Sequence, residues 1–425
     1  MMASGVLFPL ARSEIAGVPV ADLAREFGTP TYVYDAACIE QRIEQLSAFD
    51  TIRYAQKANS NLAILDLCRR RGVLIDAVSE GEIYRARKAG YAATGQPAPI
   101  VYTADVFDRP SLEHVVSEGI AVNCGSLDMI DQYGERLPGG EITLRVNPGF
   151  GHGHSQKTNT GGEQSKHGIW HEDLEEAVRR AEKYDLAVSG LHVHIGSGAD
   201  MEHLALVGEA ASGLARRVGP SIRRLCAGGG LPTRYREEDP EADIDAYFEI
   251  WDRDRRSLED AFGHAIELEI EPGRFLVAEA GYLVSEIRAV KTMGANTFYL
   301  LDAGFNNLAR PILYGSHHPM SLAIQGDEAI GRTTRDVVVG GALCESGDVF
   351  TQEEGGFVRT QAMLDARVGE FVTIECAGAY GFVMSSNYNG KPFAAEVLVR
   401  DGCAHGIRER ESLDDLVRGE SIPDV

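Results

Sequence analysis

The sequence predicts an α/β plus β protein: a TIM-like (β/α)8 barrel followed by a second, mainly β domain. Three observations carry this reading. Between residues 30 and 275, short apolar runs alternate with amphipathic stretches, as parallel strands joined by crossover helices require. Eight such runs can be counted, and each ends in a polar residue or glycine, where barrels of this kind build their sites. Beyond Arg274 the texture changes to strand-like runs separated by turns, and regular helices become scarce.

Barrel strands are expected at 52–56, 73–78, 100–103, 120–123, 142–147, 187–195, 222–227 and 266–270. Helical patterns lie between them at 61–71, 80–89, 111–117, 173–184, 202–217 and 244–262. The strand ends read off as Lys57, Asp76, Thr103, Asn123, Asn147, His194, Gly228-Gly229-Gly230 and Glu271. The connection at 148–170, PGFGHGHSQKTNTGGEQSKHGIW, is too long for a plain βα loop and is read as a lid or a rim of the site. In the second domain, strands are expected at 284–290, 297–301, 337–339, 370–375 and 395–400, with a terminal helix over 412–419. The domains are therefore set at 30–275 and 276–425, with residues 1–29 free to join either.

A net charge of −23 makes nucleic acid and anionic membranes poor partners. Residues 1–10 lack a basic segment followed by an apolar core, and no apolar run approaches the roughly 20 residues that span a bilayer. The seven cysteines are odd in number and scattered without CxxC spacing, which points to a reduced, cytoplasmic chain.

The chemistry starts at RYAQKAN, residues 53–59, where Lys57 follows a short strand. A lysine at the mouth of a buried strand is expected to be partly desolvated and so a usable amine nucleophile. AGGG at 227–230 lets backbone N–H groups close on a phosphate, although three glycines also make a plain turn. EPGR at 271–274 offers a carboxylate and a guanidinium at the barrel mouth, or a local ion pair. In LHVHIGSG, His192 and His194 share one strand face. They read as a metal pair joined by His152, His154 and His167, or as one ring stacked on an aromatic cofactor beside Ser197, with His192 a hydrogen-bonded core histidine. Lysine, phosphate cradle, stacking histidine and strand-end carboxylate together suit pyridoxal 5′-phosphate, with no metal required.

In order along the chain, YAQKAN, DAVSEGE, LHVHIGSG, AGGGL, EPGRF, ARPILYGS, CESGDVF and GAYGF resemble the motifs of the fold-type III pyridoxal-phosphate decarboxylases. Within that family the similarity is greatest to the diaminopimelate-cleaving members, and it runs over essentially the whole chain. The resemblance implies Lys57 as the Schiff-base lysine and Cys344 as proton donor, a role open to a thiol of ordinary pKa near ~8.5. It implies Asp76, His194, Ser197, Gly229, Gly230, Glu271, Gly273, Arg274 and Tyr380 around the cofactor, with Glu271 facing the pyridine nitrogen. It also implies Arg274, Arg310, Tyr314, Glu345 and Tyr380 around the substrate, meso-diaminopimelate, and a homodimer in which Cys344 and Glu345 complete the other subunit's site.

Arg310 suits a distal carboxylate and Glu345 a distal ammonium, so lysine and ornithine should be rejected as substrates. Other readings are a sister decarboxylase of another carboxylated diamine, a metal-dependent barrel hydrolase using His192 and His194, and a non-catalytic cofactor-binding protein. The hydrolase leaves Lys57, GGG and EPGR without roles. The non-catalytic protein has no use for Cys344 and Tyr380.

Overall fold

The computed structural model describes residues 7–151, 160–196, 201–324, 329, 331–353 and 355–424. The chain divides into two compact units, Glu40–Thr233 with Pro240–Leu276, and Met1–Ile39 with Arg234–Asp239 and Val277–Val425.

The first unit is a closed barrel. Its eight parallel strands are Thr51–Ala55, Leu74–Ala77, Ile100–Ala104, Ala121–Cys124, Glu141–Asn147, Ala187–His192, Arg224–Cys226 and Glu267–Ile270. They pair in sequence order, and Glu267–Ile270 returns to Thr51–Ala55, so the ring has no edge. Each lies at a predicted run, some shortened and others shifted or lengthened by a residue. Several of the helices that follow these strands start under side-chain caps. Asn61, Ser79, Asp108, Ser126 and Asp243 each accept a first-turn N–H, worth about 1 kcal/mol apiece.

The helix Leu127–Arg136 is absent from the predicted set because Gly134 interrupts its pattern. Packing explains that glycine: a Cβ there would lie 2.5 Å from Cγ of Tyr184.

Barrels of this type usually fill their interior with branched apolar side chains. This one buries Arg53, Asp76, Asn123, Arg145, His192, Glu269 and Glu271. Arg53 and Glu269 form a two-pronged ion pair at 2.7 and 3.1 Å, and Arg53 also donates to the Ala98 carbonyl. A cavity of about 400 Å³ reaches Glu271 between Arg53, Asn123, Thr143, Arg224 and Glu269.

The second unit is mainly β. Its long strand Gly281–Met293 pairs antiparallel with Asn296–Leu301, Phe371–Ile374 and Thr31–Asp35. Thr31–Asp35 pairs on its other side, in parallel, with Ala395–Arg400. The sequence pattern starts the barrel at residue 30, but residues 30–39 lie in this unit. TYVYD is buried along almost its full length, as a barrel strand is, and nothing local distinguishes the two settings. The amino-terminal helix Val20–Phe27 packs here as well, its Val20 and Leu23 against Val33, Val284, Val397 and Val399. The predicted terminal helix shortens to Leu413–Leu416, started by a capping box between Ser412 and Asp415. Among the described residues, no helix is long and apolar enough to cross a membrane.

Candidate active site

Lys57 sits in the one-turn helix Gln56–Ala58, directly after the first barrel strand. The desolvation expected of it is not what the structure provides. Gln56 and Ala58 turn inward and are buried, while the Lys57 side chain is exposed. It lines a cavity of about 640 Å³ together with Tyr102, Asp105, Arg145, His167 and His194.

Below the mouth, His192 Nε2 lies 2.8 Å from Glu271 Oε2. Burial pushes the Glu271 carboxyl up, but His192, Arg53 and the Cys226 thiol outweigh it and hold the group well below its ordinary range. Asp76 goes the other way: burial first, and then the charge of Glu271, raise it. The site thus holds one carboxylate fixed in its charged form and a neighbour biased toward the proton. His192, Cys226 and Glu271 bring a nitrogen, a sulfur and an oxygen within 4.8 Å of one another, a spacing that a metal could also use. His194 is not of that group, so the two histidines read as a pair in sequence do different work.

The His194 ring stands over the glycine turn. A Cβ on Gly230 would lie 3.6 Å from His194 Cε1 and 2.4 Å from the Gly196 carbonyl, and its φ of +102° itself favours glycine. Gly229 is equally close-packed, against the Glu271 carbonyl at 2.5 Å. Burial, aided by Arg145 and Lys57, drives the His194 pKa well down, so the ring is neutral. Arg274 is buried at the end of EPGR, and Gly273 packs closely on Ala55. Ser197, His152 and His154 lie outside the described residues.

The returning part of the long connection is pinned to the barrel rim. Ile169–Trp170 extends the sheet beside Val146 and Asn147, and the Asn147 amide bonds Gly162 and the His167 carbonyl. His167 Nδ1 meets Asp105 Oδ2 at 2.5 Å, so this histidine, read as a possible ligand, is held by a carboxylate. Burial raises the Asp105 pKa, but His167, Arg145 and the Gly168 N–H together bring it below normal.

The β unit carries the remaining residues. Arg310 and Tyr314 open and close the short helix Arg310–Tyr314, and Arg310 is buried. Tyr380 adopts φ +55°, a left-handed conformation costly for a bulky side chain. Cys344 and Glu345 are exposed in the single chain. The Cys344 N–H donates to Asn389 Oδ1 at 2.8 Å, and Tyr388 reaches Glu345 at 3.4 Å. Asp348 staples the same loop by accepting the Leu343 and Phe305 N–H groups at 2.7 Å each.

Sequence reasoning missed Arg53, Asp105 and Arg145, and took His192 for a core residue without its partner. The available signal was a lone charge inside an apolar strand, as in TIRYA and TLRVN, which is rarely buried without a purpose.

Residues 37–278 match the family described as pyridoxal-dependent decarboxylase, pyridoxal binding domain. The chain belongs to the pyridoxal-dependent decarboxylases. It is 51% identical to the diaminopimelate decarboxylase of Streptomyces coelicolor, over 98% of this chain and 94% of that one. To the diaminopimelate decarboxylase of Escherichia coli K12 it is 49% identical, covering 94% and 96%. A crystal structure of diaminopimelate decarboxylase superposes with a TM-score of 0.90 at 48% identity, covering 93% of this chain and 94% of the other. That of Helicobacter pylori, complexed with L-lysine, gives 0.84 at 28% identity, covering 94% and 98%.

The barrel mouth fits the family's cofactor. Asp76 Oδ1 and His194 Nδ1 are covered atoms without hydrogen-bond partners among the described residues, as expected where a polar ring belongs. Gly229 and Gly230 add no side chain of their own to the turn, as close approach of a phosphate requires.

Proposed function

We propose that this chain cleaves meso-2,6-diaminopimelate to L-lysine and CO₂ with pyridoxal 5′-phosphate as cofactor, the last step of lysine biosynthesis. The observation that carries the reading is the end-to-end similarity to diaminopimelate decarboxylases, β unit included. Lysine in the Helicobacter pylori relative supports a site shaped to that product.

Lys57 supplies the primary amine that holds the cofactor covalently. Gly229, Gly230, Ser197 and Arg274 hold its phosphate, Gly273 and Asp76 line the seat, and the neutral His194 offers it a flat face. Glu271, kept negative by His192 and Arg53, would accept a hydrogen bond from the cofactor's ring nitrogen and favour its protonated form. When bound, the cofactor supplies the electron sink for the pair left behind as CO₂ departs. With that sink taking up the pair as CO₂ leaves, the Cys344 Sγ–H would give the substrate carbon the proton that replaces the lost carboxylate. Arg310 takes the distal carboxylate and Glu345 the distal ammonium, with Tyr314 and Tyr380 beside them. Lysine and ornithine lack the distal carboxylate that Arg310 is assigned to receive.

The working unit in this reading is a homodimer that completes each site with the partner's Cys344 and Glu345. Their exposure in the single chain, on a loop otherwise stapled by Asp348, supports that. Seven free cysteines suit a cytoplasmic setting.

The test is a product assay. Holoenzyme is given meso-diaminopimelate, ornithine, arginine or lysine separately, and CO₂ and amines are followed by mass spectrometry. L-lysine from diaminopimelate alone is expected. Turnover of a different amino acid would keep the family and overturn the assignment of Arg310 and Glu345.

A further inference from the structure

We propose that His318 is a positioning residue for substrate selection: its neutral imidazole fixes the Arg310 guanidinium that receives the distal carboxylate. This rests on the reading of Arg310 given above.

Both side chains are buried in the β unit, Arg310 at 4% and His318 at 1% exposure. His318 Nε2 lies 2.9 Å from Arg310 Nη1, and His318 Nδ1 lies 2.9 Å from the Glu375 carbonyl oxygen. The chemistry of these partners leaves one arrangement. A carbonyl only accepts, so Nδ1 carries the hydrogen; a guanidinium only donates, so Nε2 must present its lone pair. The ring is therefore held as the neutral Nδ1–H tautomer. A protonated ring would set one N–H against another.

The rest of the surroundings fixes the same plane. The Tyr235 ring lies under the guanidinium, 4.8 Å from centroid to Cζ, and meets the His318 ring edge-on at 5.5 Å and 83°. Glu375, whose carbonyl orients His318, is itself clamped. Arg12 bonds both of its carboxylate oxygens at 2.9 Å, Ser321 donates to one of them, and its own N–H reaches the Pro319 carbonyl at 2.8 Å. A line of fixed groups thus runs from Arg12 through Glu375 and His318 to Arg310.

Two-pronged carboxylate recognition depends on the orientation of the guanidinium plane as well as its charge. Tying one edge to His318 and one face to Tyr235 sets that plane before substrate arrives, so less ordering remains to be done on binding. His318 is too deep to serve as a ligand itself and acts through Arg310.

The test compares steady-state kinetics of the holoenzyme with those of His318→Leu, His318→Gln and Arg310→Met. In His318→Leu, KM for meso-diaminopimelate should rise on the order of 10- to 100-fold, as for loss of a buried hydrogen bond to a charged group, while kcat changes far less. His318→Gln, which can accept from Arg310 and donate to Glu375, should recover most of that loss. Should the leucine variant not fold, His318→Asn takes its place, since it reaches Glu375 but is too short for Arg310. An unchanged KM in the leucine or asparagine variant, with KM raised in Arg310→Met, overturns the role of His318 alone. Equal losses in the leucine and glutamine variants also overturn it, because a merely structural residue would not distinguish them. An unchanged KM in Arg310→Met overturns the underlying reading of Arg310.

Discussion

His192 Nε2 and Glu271 Oε2 stand 2.8 Å apart inside the barrel, with the two residues only 1% and 7% exposed. The contact holds the Glu271 carboxyl in its charged form. Without His192, burial would dominate and Glu271 would move up toward protonation.

His192→Phe should therefore introduce an acid limb in the pH dependence of kcat that the parent enzyme lacks. Glu271 would take up its proton at higher pH, so the loss should deepen as pH falls, reaching roughly 10- to 100-fold, the range of a lost general acid–base group. Coincident pH profiles for variant and parent would remove His192 from this role.

Asp76 provides a thermodynamic counterpart. Its folded-state pKa is raised, by burial and then by Glu271, so the folded protein binds its proton more readily than the unfolded chain. That contribution to stability is present in full below the unfolded value, and is lost as pH rises through the raised folded value. Asp76→Asn removes the dependence. Relative to the parent, the variant should gain a few degrees in Tm across the mildly acidic range as pH increases. Melting curves whose difference does not change with pH would contradict it.

Arg53 and Glu269 form an ion pair with side-chain exposures of 2% and 8%. Glu269→Ala strands a buried guanidinium and should cost about 3–5 kcal/mol in denaturant unfolding. Arg53→Met combined with Glu269→Leu fills similar volume without charge and should recover most of that loss. If the double variant is no better than the single, the pair does more than neutralise itself.

Shared sites predict complementation. Lys57→Ala and Cys344→Ala should each be nearly inactive alone. After subunit exchange, statistical pairing in a symmetric dimer restores roughly a quarter of parental activity, since half the dimers then hold one intact site of two. No recovery, with exchange verified by native mass spectrometry, argues that each chain completes its own site.

Much of this molecule was legible in its sequence because barrels repeat. Each barrel strand announces itself through an apolar run and a polar or glycine end, so eight separate signals agree, and most are followed by a legible helical pattern. The candidate residues at strand ends were legible for the same reason: Lys57, Asp76, His194 and Glu271 all surround the barrel mouth region. What escaped depends on partners far along the chain. Nothing near Arg53 announces Glu269, more than two hundred residues away, and LHVHIG does not say that its two imidazoles have different tasks. Lys57 was expected to be desolvated because a strand end was imagined as buried, whereas the one-turn helix lifts it into the mouth. TYVYD was placed in the wrong unit since its flanking strands lie near residues 281 and 395.

That last feature has a kinetic consequence. Thr31–Asp35 is made long before one of its two neighbouring strands, Ala395–Arg400, which follows it along the chain only after the whole barrel. All of Glu40–Thr233 and Pro240–Leu276 emerges in the interval. During synthesis the barrel can close while Thr31–Asp35 waits with both edges unpaired, and one edge stays open after Gly281–Met293 is made, an arrangement prone to mispairing. Truncations that remove Ala395–Arg400 should thus expose an aggregation-prone edge at Thr31–Asp35.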